Sequence, residues 1–253
     1  MKKYLPVSFF LLGIIVLTGT FFILRSRKGK EAQFEEEESF LKEIPFEKRP
    51  FVSLIPEKDG HYLTFSIEKL GLIDAESLDY ELLYQVPDGA SQGVPGTVDL
   101  KGKDSFEADL LLGSESSGKF RYDEGVERGT LTLRFRNAKG KLIAKFQTDF
   151  HLQTGMDKLT SIDNKFSCTF VDAPGEHFWL TMGTFGVFQL PPGNVSEGPY
   201  GVFRSSGSKD VPSGKVALGG ESVYRLASQD SQWLKLESSS DYPCEGIFVG
   251  FTP

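Results

Sequence analysis

From Phe51 onward, apolar and polar side chains alternate with a period of two, the repeat of a strand with one face buried. In "HYLTFSIEKL", Leu63, Phe65 and Ile67 fall on one face, and Tyr62, Thr64 and Ser66 on the other. "SLDYELLYQV" repeats the pattern through Leu78, Tyr80, Leu82, Tyr84 and Val86. "GTLTLRFRNAKGKLIAKFQTDFHL" predicts an antiparallel hairpin. Leu131, Leu133 and Phe135 form its inner face, Asn137–Gly140 its turn, and Leu142, Ala144, Phe146, Thr148 and Phe150 the return.

Short segments of this kind recur to the end of the chain, separated by Gly, Pro, Asp and Ser clusters. A long amphipathic helix is hard to find among them, which disfavours an α/β enzyme fold. "QTGMDKLTS" reads as a join, so the pattern predicts two tandem antiparallel β-sandwich domains, at 50–154 and 155–253. The first is expected to be immunoglobulin-like or fibronectin-type by size and strand count.

The pattern before residue 50 is different. Tyr4–Leu24 carries no charge and is rich in Phe, Leu, Ile and Val. As a helix it would reach roughly 31 Å at ~1.5 Å per residue, enough to span a hydrocarbon core of about 30 Å. The run is longer than a signal-peptide core, and no small-residue cleavage site follows it. Residues 1–24 are therefore expected to be an uncleaved single-pass transmembrane anchor, with the lipid bilayer as partner through residues 4–24.

Residues 25–49 are a charged spacer, basic from Arg25 to Lys30 and acidic at Glu35–Glu38. Lys2 and Lys3 before the run face Arg25, Arg27, Lys28 and Lys30 after it, and that count alone predicts a cytoplasmic body. The cysteines point the other way.

Cys168 shares strand phase with Phe166 and Phe170, Trp179 follows it, and Tyr242 stands two residues before Cys244. Over residues 166–246 this spacing resembles the Cys, Trp and Tyr-x-Cys pattern of the immunoglobulin fold. The resemblance implies a Cys168–Cys244 disulfide joining two sheets. A bridge that simply ties the domain's first strand to its last and two unpaired cysteines are the alternatives. Trp179 is out of phase with Phe178, Leu180 and Met182. Two cysteines in strand-rich context suit an oxidising compartment, so the body is expected outside the cell. As a whole the chain resembles bacterial membrane-anchored envelope proteins with sandwich domains.

Composition then narrows the function. A net charge of -7 argues against a general nucleic-acid binder. His61, His151 and His177 show no metal-ligand spacing, and no cofactor is expected. Asp123, Glu124 and Glu127 in "YDEGVE" lack the alternating ligands of a calcium loop and read as a solvated turn. Twenty-two phenylalanines exceed the evident needs of two cores. Trp179, Tyr200 and Trp233, with the Pro191–Tyr200 loop, are the candidate binding-surface positions.

The expectation is a non-catalytic module for binding, adhesion or envelope scaffolding, with an envelope protein or a glycan as partner. An envelope hydrolase is the alternative, favoured by a pocket joining His151 or His177 to a carboxylate. A second alternative is an SH3-like wall-binding module, suggested by "VYRLASQDSQWLKLES".

Overall fold

The alternating segments fold into strands layered on one long sheet. The computed structural model describes residues 41–205, 211–229 and 231–252. The expected anchor and most of the charged spacer lie outside these residues. No helix among the described residues is long and apolar enough to cross a membrane. The described residues form an all-β body whose only helical elements are two short 3-10 turns.

A first small sheet orders β1 (Phe51–Pro56), β2 (Tyr62–Glu68) and β5 (Ser105–Leu111). A second orders β10 (Lys158–Thr160), β11 (Phe166–Phe170), β14 (Ser213–Leu218) and β17 (Tyr242–Pro243). Between them runs a nine-stranded sheet. From one edge it contains β16 (Leu234–Leu236), β15 (Ser222–Leu226), β18 (Gly246–Phe251), β13 (Val195–Arg204) and β12 (Trp179–Gly183). It continues through β9 (Leu142–Gln153), β8 (Arg128–Arg136), β3 (Ser77–Gln85) and β4 (Ser91–Asp99). A two-stranded arm, β6 (Gly113–Ser116) and β7 (Lys119–Tyr122), stands apart. Every pair is antiparallel.

The 154/155 boundary falls between β9 and β10, and the long sheet crosses it. β9 pairs with β12 through Leu180↔Leu152 and Met182↔Phe150, so Glu43–Pro253 packs as one unit.

The two small sheets cover opposite faces of the long one. Val52, Leu54, Leu63, Phe65 and Ile67 close over Leu78, Leu82, Leu131, Leu133, Phe135 and Phe150. Leu159, Phe166, Cys168 and Phe170 close over Trp179, Tyr200, Val202 and Phe248 on the other side. Successive strand side chains point to opposite faces. Trp179 therefore enters the second core while Leu180 and Met182 enter the first. All four residues Trp179–Met182 are buried, because β12 has a layer above and below it. Its phase mismatch with Leu180 is the mark of that position.

Trp179 is fully buried, and its Nε1 has no hydrogen-bond partner among the described residues. That N–H costs about 1–3 kcal/mol. Burying an aromatic ring of about 150–250 Å² contributes about 4–6 kcal/mol, so burial wins. Phe170 lies 5.2 Å from the ring and the Arg204 guanidinium 5.7 Å over it.

Cys168 and Cys244 form a disulfide, both fully buried. Cys244 sits where the chain leaves β17 for β18, so the bridge ties the second small sheet to the corner entering the long sheet. Arg225 donates to the Glu245 carbonyl from Nε (2.9 Å) and Nη2 (2.6 Å), and Arg204 pairs with the Glu245 carboxylate at 3.4 Å. Burial pushes the Glu245 carboxyl up, against the pull of the two arginines.

The bridge closes a separation of 76 residues. Replacing both cysteines by alanine is expected to lower stability by about 2–5 kcal/mol in urea unfolding. Reductant should then leave the variant unchanged while lowering the wild type.

Candidate functional site

β12 is shorter than both of its neighbours. At Gly183 its last rung is partly a side-chain one, because the Gly183 N–H donates to Thr148 Oγ1 at 3.0 Å. Thr184 donates once more to the Pro199 carbonyl (3.1 Å), and the chain then turns away at Phe185, φ 62°. A left-handed phenylalanine is costly. Its ring offsets that by packing 5.2 Å from Phe146 under the sheet. Among the described residues, β9 and β13 continue past this point without a strand between them.

The fork opens a cleft of about 470 Å³. Gln147–Asp149 form one wall and Ser196–Tyr200 the other, with Met182, Phe185 and Arg49 beneath. The β10–β11 turn, Ser161–Lys165, overhangs it. β13 carries register shifts between Val195 and Tyr200, bulges that re-aim this wall.

Each ionisable group here has an internal partner. Asp163 accepts hydrogen bonds from the hydroxyls of Ser161 (2.5 Å) and Tyr200 (2.5 Å) and from the Lys165 N–H (3.1 Å). Desolvation pushes its carboxyl up, but those bonds and the Lys165 charge outweigh it, and the net shift is downward. Burial, with the Asp163 contact added to it, pushes the Tyr200 hydroxyl well up. Lys165 pairs with Glu197 at 3.0 Å, and Arg49 with Glu43 at 3.0 Å. Asp149 accepts from the Thr130 hydroxyl at 2.7 Å.

The residues singled out in the sequence are placed unevenly. The Pro191–Tyr200 loop does reach the cleft, through Ser196–Tyr200. Trp179 and Tyr200 are interior residues, not surface aromatics. Trp233 is half-buried, its Nε1 donating to the Gln189 carbonyl at 3.1 Å. The exposed rings are instead Phe120 (49%) and Tyr122 (38%) on the β6–β7 arm, with His61 stacked on Tyr122 at 4.0 Å.

Asp123 is not a solvated turn residue either. Its side chain accepts from the buried Tyr84 hydroxyl at 2.9 Å. Among the described residues, no three His, Cys, Asp or Glu side chains are grouped to hold a metal.

His151 does border a cavity of about 570 Å³, shared with Asp59, Glu124 and Glu127. Its Nδ1 lies 2.9 Å from the Thr160 carbonyl, and none of its hydrogen bonds among the described residues goes to a carboxylate. His61 lies between Asp59 (3.4 Å) and Glu124 (3.3 Å). Burial, then Arg204 and Lys58, push the His177 imidazole down.

Sequence reading missed Asp149 and the Ser161–Lys165 turn. The turn has its signal in "SIDNK", a turn composition, and the bulged β13 wall in the Gly-Pro of "SEGPY" interrupting a strand; Asp149 has none. No family model, curated protein or solved structure matches the chain.

Tyr200→Phe removes one of the bonds holding Asp163. It is expected to move the Asp163 carboxyl upward in an NMR titration and to cost about 1 kcal/mol, since the partner is exposed. In the wild type the folded value of Asp163 lies below the unfolded one. Its stabilisation is therefore complete above about pH 4 and fades as pH falls through the folded value. That acid limb should be shallower in Tyr200→Phe.

Proposed function

We propose that this chain is a membrane-anchored, extracytoplasmic binding module without catalytic activity, and that the cleft at the sheet fork is its contact site. The observation that carries the reading is the prior engagement of the cleft's ionisable groups. Asp163, Lys165, Glu197 and Arg49 are held by internal hydrogen bonds and ion pairs, which suits a preorganised surface better than a proton-transfer site.

Location rests on two supports. The uncharged run at residues 4–24 has the length of a membrane span. The buried disulfide belongs to a compartment where such bonds persist. An immunoglobulin-like second half is part of the same reading. Trp179 shares a core with the bridged cysteines, and the Tyr242 hydroxyl accepts the Glu237 N–H at 2.8 Å, five residues upstream. Both are features of that fold.

One observation favours the hydrolase alternative: His151 shares the lining of one cavity with Glu127 and Asp59. Loss of a hydrolytic activity in His151→Ala would move the assignment there.

Protease added to intact cells, paired with thiol labelling of Cys168 and Cys244, tests location. The body is expected to be digested from outside, and the thiols to label only after reduction. Protection of the body, with thiols that label on denaturation alone, would place it in the cytoplasm and remove the displayed-module reading.

A further inference from the structure

The walls of the cleft are strand edges. β8 pairs with β9 along Leu142–His151, but β12 pairs with β9 only from Phe150 onward. On that inner side, among the described residues, the ladder ends at the Met182↔Phe150 pair, and the next N–H, of Gly183, donates to Thr148 Oγ1. Across the fork, Val195–Gly198 of β13 pairs with β18 on its far side and, among the described residues, has no strand partner on its near side. Where β12 is present it separates β9 and β13 by one strand, which is about 4.8 Å from each. Beyond Gly183, among the described residues, no strand continues this line over about four residues, ~13 Å at ~3.3 Å per residue. Every second residue of each edge turns its N–H and C=O into the opening.

Charge sharpens the fit. Lys165 is neutralised by Glu197 and Arg49 by Glu43. Asp149 is exposed, its carboxylate accepts from the Thr130 hydroxyl, and it makes no ion pair among the described residues. Asp163 is held by hydroxyls and a backbone N–H. The opening therefore carries an excess of negative charge beside its unpaired edges.

We infer that the fork takes an extended peptide segment of a partner protein, which continues the line of β12 between β9 and β13 and presents a lysine or arginine to Asp149. This rests on the binding-module reading above and adds the class of partner. Backbone hydrogen bonds along the two edges would supply affinity, and the carboxylates would choose the side chain. Phe185 beneath the fork supplies an apolar floor for an aliphatic neighbour in the same segment.

The full-length protein in detergent is probed with an array of N-acetylated, C-amidated hexapeptides, and the strongest binder is remade with alternate backbone amides N-methylated. Binders are expected to be rich in β-branched residues and to carry lysine or arginine. N-methylation on the bonding edge should weaken binding at least about tenfold, and Asp149→Asn should weaken cationic binders by about tenfold. An unchanged thermal midpoint checks that Asp149→Asn is folded. Binders indifferent to both changes, or the absence of any binder at millimolar peptide, would overturn the inference.

A parallel panel of glucose and N-acetylglucosamine oligosaccharides separates the two levels. Sugar binding lost in Asp149→Asn, without peptide binding, overturns the peptide strand and keeps the binding module. Binding of neither class overturns both. Self-association abolished by Asp149→Asn, without peptide binding, would overturn the inference by making the occupant a second copy of this chain.

Discussion

The arrangement depends on the double burial of β12. Trp179 and Leu180 are adjacent in the chain, yet each is fully buried in a different core. An antiparallel sheet can leave one face in water, and β12 cannot, because a small sheet lies on each side of it. Five residues thus hold together two layers that face away from each other. Their composition follows from the position: Trp, Leu and Met fill volume, and Thr181, also buried, is the smallest of the four. A polar residue at Leu180 would fail against the first core, and one at Trp179 against the second.

The disulfide and the buried arginines act on the same seam from its far end. The chain crosses between layers at Cys244–Gly246, where backbone groups leave one ladder before joining another. Buried backbone without partners is costly. Here Cys244 donates to the Pro212 carbonyl, and Arg225 covers the Glu245 carbonyl with two donors. The bridge then holds this corner against β11. Cys168 is legible as an inward-facing residue from its phase alone, and so are Leu63–Ile67 and Leu131–Phe135, because strand period is local information.

What sequence does not carry locally is which strand lies beside which. The pairing of β9 with β12 and the contact of Tyr200 with Asp163, 37 residues apart, depend on layers closing over one another. The out-of-phase Trp179 was the one local trace of that closure. Its natural sequence reading, a ring at the surface, inverted its place because alternation with apolar neighbours on both phases means two buried faces. Asp123 misled in a similar way: its acidic neighbours suggest solvent, while its anchor is Tyr84, 39 residues away.

The treatment of strand edges separates the fork from the rest of the sheet. The long sheet ends on one side at β4, which carries Pro95, and on the other at β16, only three residues long. Both are ways of discouraging pairing with another chain. β10, at the margin of the second small sheet, is met by a side chain instead: the Gln153 amide accepts from the Thr160 N–H and donates to its carbonyl. These three outer edges are thus shortened, marked by proline or capped. The two edges inside the fork are recessed instead, with a floor below and the Ser161–Lys165 turn above. An edge kept unpaired but shielded in this way can recognise backbone without exposing the protein to indiscriminate sheet growth.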